Sequence, residues 1–558
     1  MIVDHLCHGL SGGAASAALR IHHGLRREGI ESRFWHASAR GRSQVSGEED
    51  GCRVLQWPKS SHRNTIDKWV IKATRTKRDW EVKLRHLRQR PPGFDYFSTG
   101  LLRHATPWPH QALYGDVLVL HWIGKLFDYP SFFASLPRER PIVWVLHDMN
   151  PFTGGCHFSA GCNGFRHRCG NCPQIAASAD DDITAKTLQM KKQLYAGLNL
   201  HVVAPSRWLS DEAQRSVALT EAVTHQVIPY SLDTHQYSPV DRIAARRALN
   251  LDPEKKIVLF GAAAIGNRRK GLHELLEAWA ELPADSVQGL MFGSGEAPVV
   301  PDGLAPIRHL GFISESEKLR LVYSAADLFV LPSLEDNLPQ TGLESMSCGT
   351  PVVAFDAGGI PDYVRPGHTG LLAPAGDAKS LAAQIRVLLD HPELRERMGR
   401  TAREVMVREH SRPVESARYS ELLESILGGT TPVAGDSASV SVDLRLETPG
   451  RASIRSGSAR SRRVAAGDHP RRSGKARRIR LPNISWDDFP RNVVPAGGPR
   501  LKGGFPLKGG AAIPGRWSRR NWTQGDKVRG SAESVHLPII SMPSSPPNSS
   551  PEPRPNRP

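Results

Sequence analysis

Nowhere do the 558 residues run to the ~18–20 consecutive apolar side chains that a helix needs to cross a bilayer. The first residues, MIVDHLCHGLSGG, also lack the basic-then-apolar order of an export signal. These absences argue against a helical membrane protein and lead us to expect a cytoplasmic one, with at most peripheral contact on the inner face of the membrane. Cysteine is scarce, seven in the whole chain, so a disulfide-stapled secreted fold is not expected and clustered thiols argue for metal before disulfide. Acidic residues fall short of basic ones, 56 Asp and Glu against 73 Lys and Arg, a net charge of +17. Spread over a folded surface that excess would suggest nucleic acid. From Thr430 onward, however, about 23 Lys and Arg stand against about 9 Asp and Glu, so about +14 of it belongs to the tail and nucleic acid is not an expected partner.

What is present is a chain long enough for two or three domains. Apolar runs recur with glycine-rich or polar ends: Met1 to Cys7, Asp116 to Trp122, Pro141 to Asp148, His201 to Ser206, Gln226 to Pro229, Lys256 to Phe260 and Gly289 to Gly295. Such runs are the strands of a parallel sheet buried on both faces. Turn residues in PYSLDTHQYSPVD put a domain boundary near Asp241, giving domains 1–240 and 241–427. Residues 428–558 are rich in Arg, Pro, Ser and Gly without a sustained period, and are expected to be a disordered tail. Lys59 to Arg90 combines basic residues with Ile66, Trp69, Val70 and Ala73 at helical spacing, the pattern of a packed surface helix or of one lying on anionic lipid.

Chemistry concentrates between Leu331 and Asp362, LPSLEDNLPQTGLESMSCGTPVVAFDAGGIPD. A strand ends in a loop with adjacent acids, Pro339 sits where a helix starts, Gly349 closes that helix and another strand follows. Carboxylates and helix N–H groups then meet at the carboxyl edge of a parallel sheet, where such sheets bind ligands. Other strand ends carry His121, His147 and Asp148, and the loop after the first strand carries Gly12 and Gly13. Asp180-Asp181-Asp182 reads as a solvated charge run. The segment 152–174 holds Cys156, Cys162, Cys169 and Cys172 among glycines, a composition able to close a structural zinc site, with unliganded thiols or a disulfide as the alternatives. Cys7, Cys52 and Cys348 look like isolated buried groups.

The central stretch resembles the donor-site signature of the family 4 retaining glycosyltransferases, two acids with seven residues between them. Asp336 and Glu344 have that separation, Glu335 and Glu344 do not, so Asp336 takes the first acidic position. The resemblance implies a GT-B fold: an α/β protein of two Rossmann-like domains facing a cleft, here with the tail appended. It implies transfer of a hexosyl group from a UDP- or GDP-linked donor to a glycan or lipid-linked acceptor in cell-envelope or exopolysaccharide biosynthesis, with no cofactor required for transfer. By the same resemblance Asp336 meets the donor sugar, Glu344 the ribose, His147 the sugar and Lys270 the diphosphate, while Gly12 and Gly13 face the cleft. Pro339, Gln340 and Thr341 bring the helix N-terminus to the donor. Ala264 stands where the family often has an arginine, so Arg268 or Arg269 would have to replace it. Related polysaccharide-forming transferases share the cysteine-rich insert. A sugar-nucleotide epimerase of the same architecture, or a non-catalytic sugar-nucleotide-binding subunit, are the alternative readings.

Overall fold

The computed structural model describes residues 1–37, 51–55, 90–101, 114–124, 126–176 and 178–429. The basic stretch Lys59 to Arg90, apart from Arg90 itself, and the tail from residue 430 onward lie outside the described residues.

The apolar runs form two sheets. The first contains β1 (Ile2–Cys7), β2 (Glu31–His36), β3 (Cys52–Val54), β4 (Val117–Leu120), β5 (Ile142–Val145), β6 (Leu200–Ala204) and β7 (Thr224–Val227), in the order β3-β2-β1-β4-β5-β6-β7. The second contains β8 (Lys256–Ala264), β9 (Val287–Ser294), β10 (Ile307–His309), β11 (Leu328–Leu331), β12 (Val352–Asp356) and β13 (Gly370–Pro374), in the order β10-β9-β8-β11-β12-β13. Every pairing is parallel. Helices cover both faces, which is why Val117-Leu-Val-Leu120, Ile142-Val-Trp-Val145 and Leu328-Phe-Val-Leu331 are apolar throughout and wholly buried. Each sheet reverses its strand order beside its first strand, between β1 and β4 and between β8 and β11. Those two switch points are where doubly wound sheets open a crevice for ligands.

In the first domain, α1 (Gly13–Arg27) follows β1, and α2 (Tyr129–Ala134), α3 (Ile183–Tyr195) and α4 (Arg207–Gln214) follow later strands. One face of the sheet packs Leu120, Trp144 and Val202 against Phe132 and Phe133 of α2 and Leu188 and Tyr195 of α3. Asp182, expected in a solvated run, is buried and caps α3 by accepting from the Thr184 and Ala185 amides. In the second domain α5 (Arg242–Ala248), α6 (Leu272–Trp279), α7 (Ser316–Ala325), α8 (Gln340–Ser347), α9 (Ala378–Asp390) and α10 (Pro392–Glu409) surround the second sheet.

The last helix, α11 (Arg412–Leu427), departs from the expected assignment of 241–427 to the second domain. Its Tyr419, Leu422 and Leu423 are buried with Val3, Val119, Val143 and Val203 of the first sheet and Ile21 and Leu25 of α1. The chain therefore returns to its first domain to finish that core. Outgoing and returning segments touch where they cross: the Leu232 amide donates to the His410 carbonyl at 2.9 Å, the His410 ring meets the Tyr230 carbonyl at 3.0 Å, and the Ser231 amide donates to Glu415 at 3.1 Å.

Candidate active site

The loop after β11 is pressed against the loop after β8 on one side and the loop after β12 on the other, and a glycine makes each approach possible. Gly271 has φ +72, and a Cβ there would lie 1.7 Å from the Pro332 carbonyl oxygen. Gly358 has φ +56, and a Cβ there would lie 1.9 Å from the Asp336 carbonyl oxygen. Larger residues at either position would push the loops apart.

Between them sits a compact charge cluster. Lys270 Nζ lies 2.5 Å from Asp336 Oδ2 and Arg269 Nη1 lies 3.0 Å from Asp336 Oδ1. The Asn337 amide donates to Asp336 at 3.1 Å. Burial by itself would raise the Asp336 carboxyl, but Lys270 and Arg269 outweigh it and hold it at about 2. Burial, joined by the Arg269 charge, lowers the Lys270 ammonium in spite of Asp336. Arg269 also donates to Asp95 at 3.0 Å and to the Glu335 carbonyl at 2.8 Å, and stacks on the Phe158 ring at 3.7 Å. Arg268 is tied instead to Glu274 of α6, 2.5 Å away, and Ala264 is an exposed end of β8.

The two neighbouring acids have separate surroundings. Glu335 turns to the first domain and accepts from the Ser159 amide and hydroxyl, both at 3.1 Å, and from the Ala160 amide at 2.8 Å. Asp336 faces the cations. Pro339 precedes the first turn of α8 as its N-cap, so the helical residues begin at Gln340, and Gly349 (φ +78) follows its end. Glu344, farther along α8, accepts from the Tyr323 hydroxyl at 2.9 Å. Burial raises its carboxyl to about 7, against that hydrogen bond and the Arg20 charge.

Across the cleft, Gly12 (φ +93) starts α1 and the Gly13 carbonyl accepts from Gln340 Nε2 at 3.1 Å. The structure thus brings Gly13 against the start of α8, with Thr341 next in that helix. His147, just past β5, places Nδ1 2.7 Å from the Tyr230 hydroxyl and Nε2 3.1 Å from His121 Nδ1. His121 Nε2 in turn lies 3.0 Å from His5 Nδ1. Burial pushes the His147 imidazole down to about 4, so the ring is neutral near pH 7. Its carbonyl accepts from Asn337 Nδ2 at 3.2 Å, and Asn337 Oδ1 accepts from Ser206 at 2.7 Å. Asp148 points elsewhere and holds His157 at 2.7 Å and Trp122 at 3.0 Å. A cavity of about 670 Å³ adjoins the charge cluster, walled by Asp95, Phe158, Trp208, Arg269 and Glu335 among others.

The four clustered cysteines line one small cavity of about 20 Å³. Burial raises the Cys156 and Cys172 thiols and pushes Cys169 to about 12, with neighbouring sulfurs adding to each. Among the described residues, the candidate metal ligands whose atoms lie within 4.8 Å of one another are His22, His23 and Cys52, and not three of these four. A tetrahedral shell with Zn–S near 2.3 Å needs sulfurs about 3.8 Å apart. The insert as arranged here is looser than that. Cys52, expected to be isolated, instead stands beside two histidines.

Asp95, Phe158, Tyr230, Tyr237 and Arg20 went unnoticed in the sequence, and no spacing rule marks them. Asn337 lies inside the donor stretch, where its place beside Asp336 was a usable signal.

Comparison with known proteins decides the architecture. A sucrose-phosphate synthase from Thermosynechococcus elongatus superposes with a TM-score of 0.54 at 19% identity, covering 76% of this chain and 99% of that one. Anabaena HepE, solved in complex with UDP-glucose, gives 0.51 at 17% identity, covering 76% and 100%. The fold is GT-B. Within this GT-B chain, residues 241–405 match the family model described as glycosyl transferases group 1. Curated relatives include D-inositol 3-phosphate glycosyltransferase of Mycobacterium sp. (strain KMS), 35% identical over 205 residues, 32% of this chain and 45% of that protein. The counterpart in Rhodococcus jostii (strain RHA1) is 31% identical over 314 residues, 53% of this chain and 63% of that protein. The chain spans about half the length of the curated relatives it matches. Among the described residues no helix is long and apolar enough to cross a membrane.

Proposed function

We propose that this GT-B chain is a retaining glycosyltransferase that moves a hexosyl group from a UDP- or GDP-linked donor to a glycan or lipid-linked acceptor of the cell envelope or an exopolysaccharide. The observation that carries the reading is the placement of Lys270, Arg269 and Asp336 beside the start of α8 and opposite Gly13. Charge builds on the departing diphosphate in such a transfer, and fixed cations in a water-poor cleft stabilise it where it forms. Asp336 keeps both cations charged and aimed until the donor arrives. His147, neutral and hydrogen-bonded at both ring nitrogens, would meet a sugar hydroxyl by exchanging its contact with His121 or Tyr230, and would add no charge there. Glu344 on the far side suits ribose hydroxyls. Contact with the membrane surface belongs to the same proposal, because a lipid-linked acceptor would be met there.

A panel of UDP- and GDP-sugars, screened for thermal stabilisation and then for single-turnover transfer to candidate acceptors, tests this. A ligand held only by the native state raises its apparent stability. Stabilisation with transfer and retained anomeric configuration is the expected result; no response to any nucleotide would sink the proposal. Isomerised donor in the absence of acceptor would mean an epimerase. Binding without turnover would mean a non-catalytic subunit, a reading that Ala264 keeps alive. Zinc in the cysteine insert is a separate proposal, since the thiols would have to draw together around it. About one equivalent of zinc per chain, lost in Cys169→Ser, would carry it, and metal-free protein that folds normally would end it.

A further inference from the structure

Beside the start of α8 lies a second cavity, about 170 Å³, bounded by Ser16 and Arg20 of α1, Gln340 and Glu344 of α8, Tyr237 of the crossing segment and Arg412. Arg20 is the unusual member. Its Nη1 donates to Gln340 Oε1 at 3.3 Å, a neutral amide, while its Nε and Nη2 are buried without a hydrogen-bond partner among the described residues. Guanidinium N–H groups taken out of water need an anion or acceptors to be satisfied. The nearby acids are otherwise engaged. Asp233 pairs with Arg412 at 3.4 Å, Glu415 accepts from Ser231, and Glu344 accepts from Tyr323. Arg20 acts on the whole cleft centre: its charge helps lower His147 and opposes the rise of both Glu344 and Glu415.

We propose that Arg20 binds a phosphoryl group in this cavity through its two unpartnered nitrogens, Nε and Nη2, and, resting on the donor reading above, that this group is a phosphate of the nucleotide. The fork of a guanidinium fits two phosphate oxygens side by side, a match that a lysine does not reproduce. Glu344, the residue suited to ribose, lines the same cavity, so sugar and phosphate of one nucleotide would meet residues of two domains. The cation missing at Ala264 is then supplied from α1. Arg268 is engaged with Glu274, and Arg269 is shared between Asp95 and Asp336.

Calorimetry and melting curves on the full chain, with UDP, GDP, their nucleosides and inorganic phosphate as probes, test the site in wild type, Arg20→Met and Arg20→Lys. Arg20→Met should weaken diphosphate binding about 10-fold or more and leave nucleoside binding unchanged, with Arg20→Lys in between. If diphosphates bind both proteins alike but the KM of a phosphorylated acceptor rises in Arg20→Met, the phosphoryl group comes from the acceptor. If wild type ignores nucleotides yet inorganic phosphate raises its Tm, and Arg20→Met loses that rise, the anion site stands while the donor reading falls. Equal responses of wild type and Arg20→Met to diphosphate, phosphorylated acceptor and phosphate overturn the site. Should Arg20→Met fail to fold, the same comparison on Arg20→Lys decides, because loss of the fork alone predicts weaker diphosphate binding.

Discussion

Asp336 holds two cations at once, and its replacement therefore does more than remove one hydrogen bond. Asp336→Asn should leave Lys270 and Arg269 without their shared counter-charge and impair transfer more than nucleotide binding. Lys270→Ala should lower the single-turnover rate on the order of 10²–10³-fold, the usual scale for removing a group that stabilises developing charge. Glu335→Ala should leave the chemical step nearly intact and weaken the contact with Ser159 and Ala160 instead. A dead Glu335→Ala enzyme beside an active Asp336→Asn enzyme would reverse these assignments. The two key carboxyls also respond to pH in opposite senses. Asp336, ordinarily near 3.8, is held at about 2, so the stability it contributes is complete above the unfolded value and disappears as pH falls through 3.8 towards 2. Glu344, ordinarily near 4.5, is raised to about 7, so the folded state keeps an extra proton and loses stability as pH rises from 4.5 through 7. Urea melts across pH 4 to 8 should show that decline, and Glu344→Gln should flatten it.

Helices and strands differ in how far their partners can be read from sequence. The buried strands were legible because a parallel strand covered on both faces is a continuous apolar run, as in Val117-Leu-Val-Leu120. The donor loop and α8 were legible because the acids, Pro339 and the closing Gly349 are contiguous in the chain. β2, β3 and β13 do not stand out in the sequence: β2 mixes Glu31, Ser32, Arg33 and His36 with its apolar residues, and the other two are three to five residues without a clear period. The sheet that α11 covers is not written in its own residues, because an amphipathic face fits any apolar surface of the right shape. Arg20 and Gln340 lie 320 positions apart and Arg269 and Asp95 lie 174 apart, and no local pattern links such pairs. For α11 the structure makes a definite prediction: Leu423→Ala should cost ~2–5 kcal/mol, the range for emptying a leucine-sized space in a core. A chain ending before Arg412 should lose the first domain's cooperative unfolding, although it keeps every strand of that sheet. Limited proteolysis and calorimetry would show whether the second domain survives alone.

Contacts across the cleft decide how the two domains sit together without a donor. Arg269 to Asp95, Glu335 to Ser159 and Ala160, Asn337 to the His147 carbonyl and Gln340 to the Gly13 carbonyl all join one domain to the other. Several of these groups are the ones proposed to meet the donor, so donor binding has to exchange them rather than fill an empty gap. Asp95→Ala should therefore destabilise the free protein by ~1–3 kcal/mol, the scale of a charged hydrogen bond, and leave Asp336 as the one carboxylate still paired with Arg269. Small-angle scattering of that variant should report a wider average opening; an unchanged profile would mean the remaining contacts suffice.

Because α11 belongs to the first domain's core, the chain is interlaced: residues up to Val227 build that sheet, and residues from Arg412 onward complete it. A break in the outgoing crossing, between the exposed His235 and Gln236, would leave the downstream piece plugged into the upstream one by a helix. Two polypeptides, 1–235 and 236–558, made together in one cell should then assemble and copurify without a covalent link. The upstream piece made by itself should be insoluble, with the groove for α11 open to solvent. The molecule carries its own complementation tag, and the partner it recognises is its own other half.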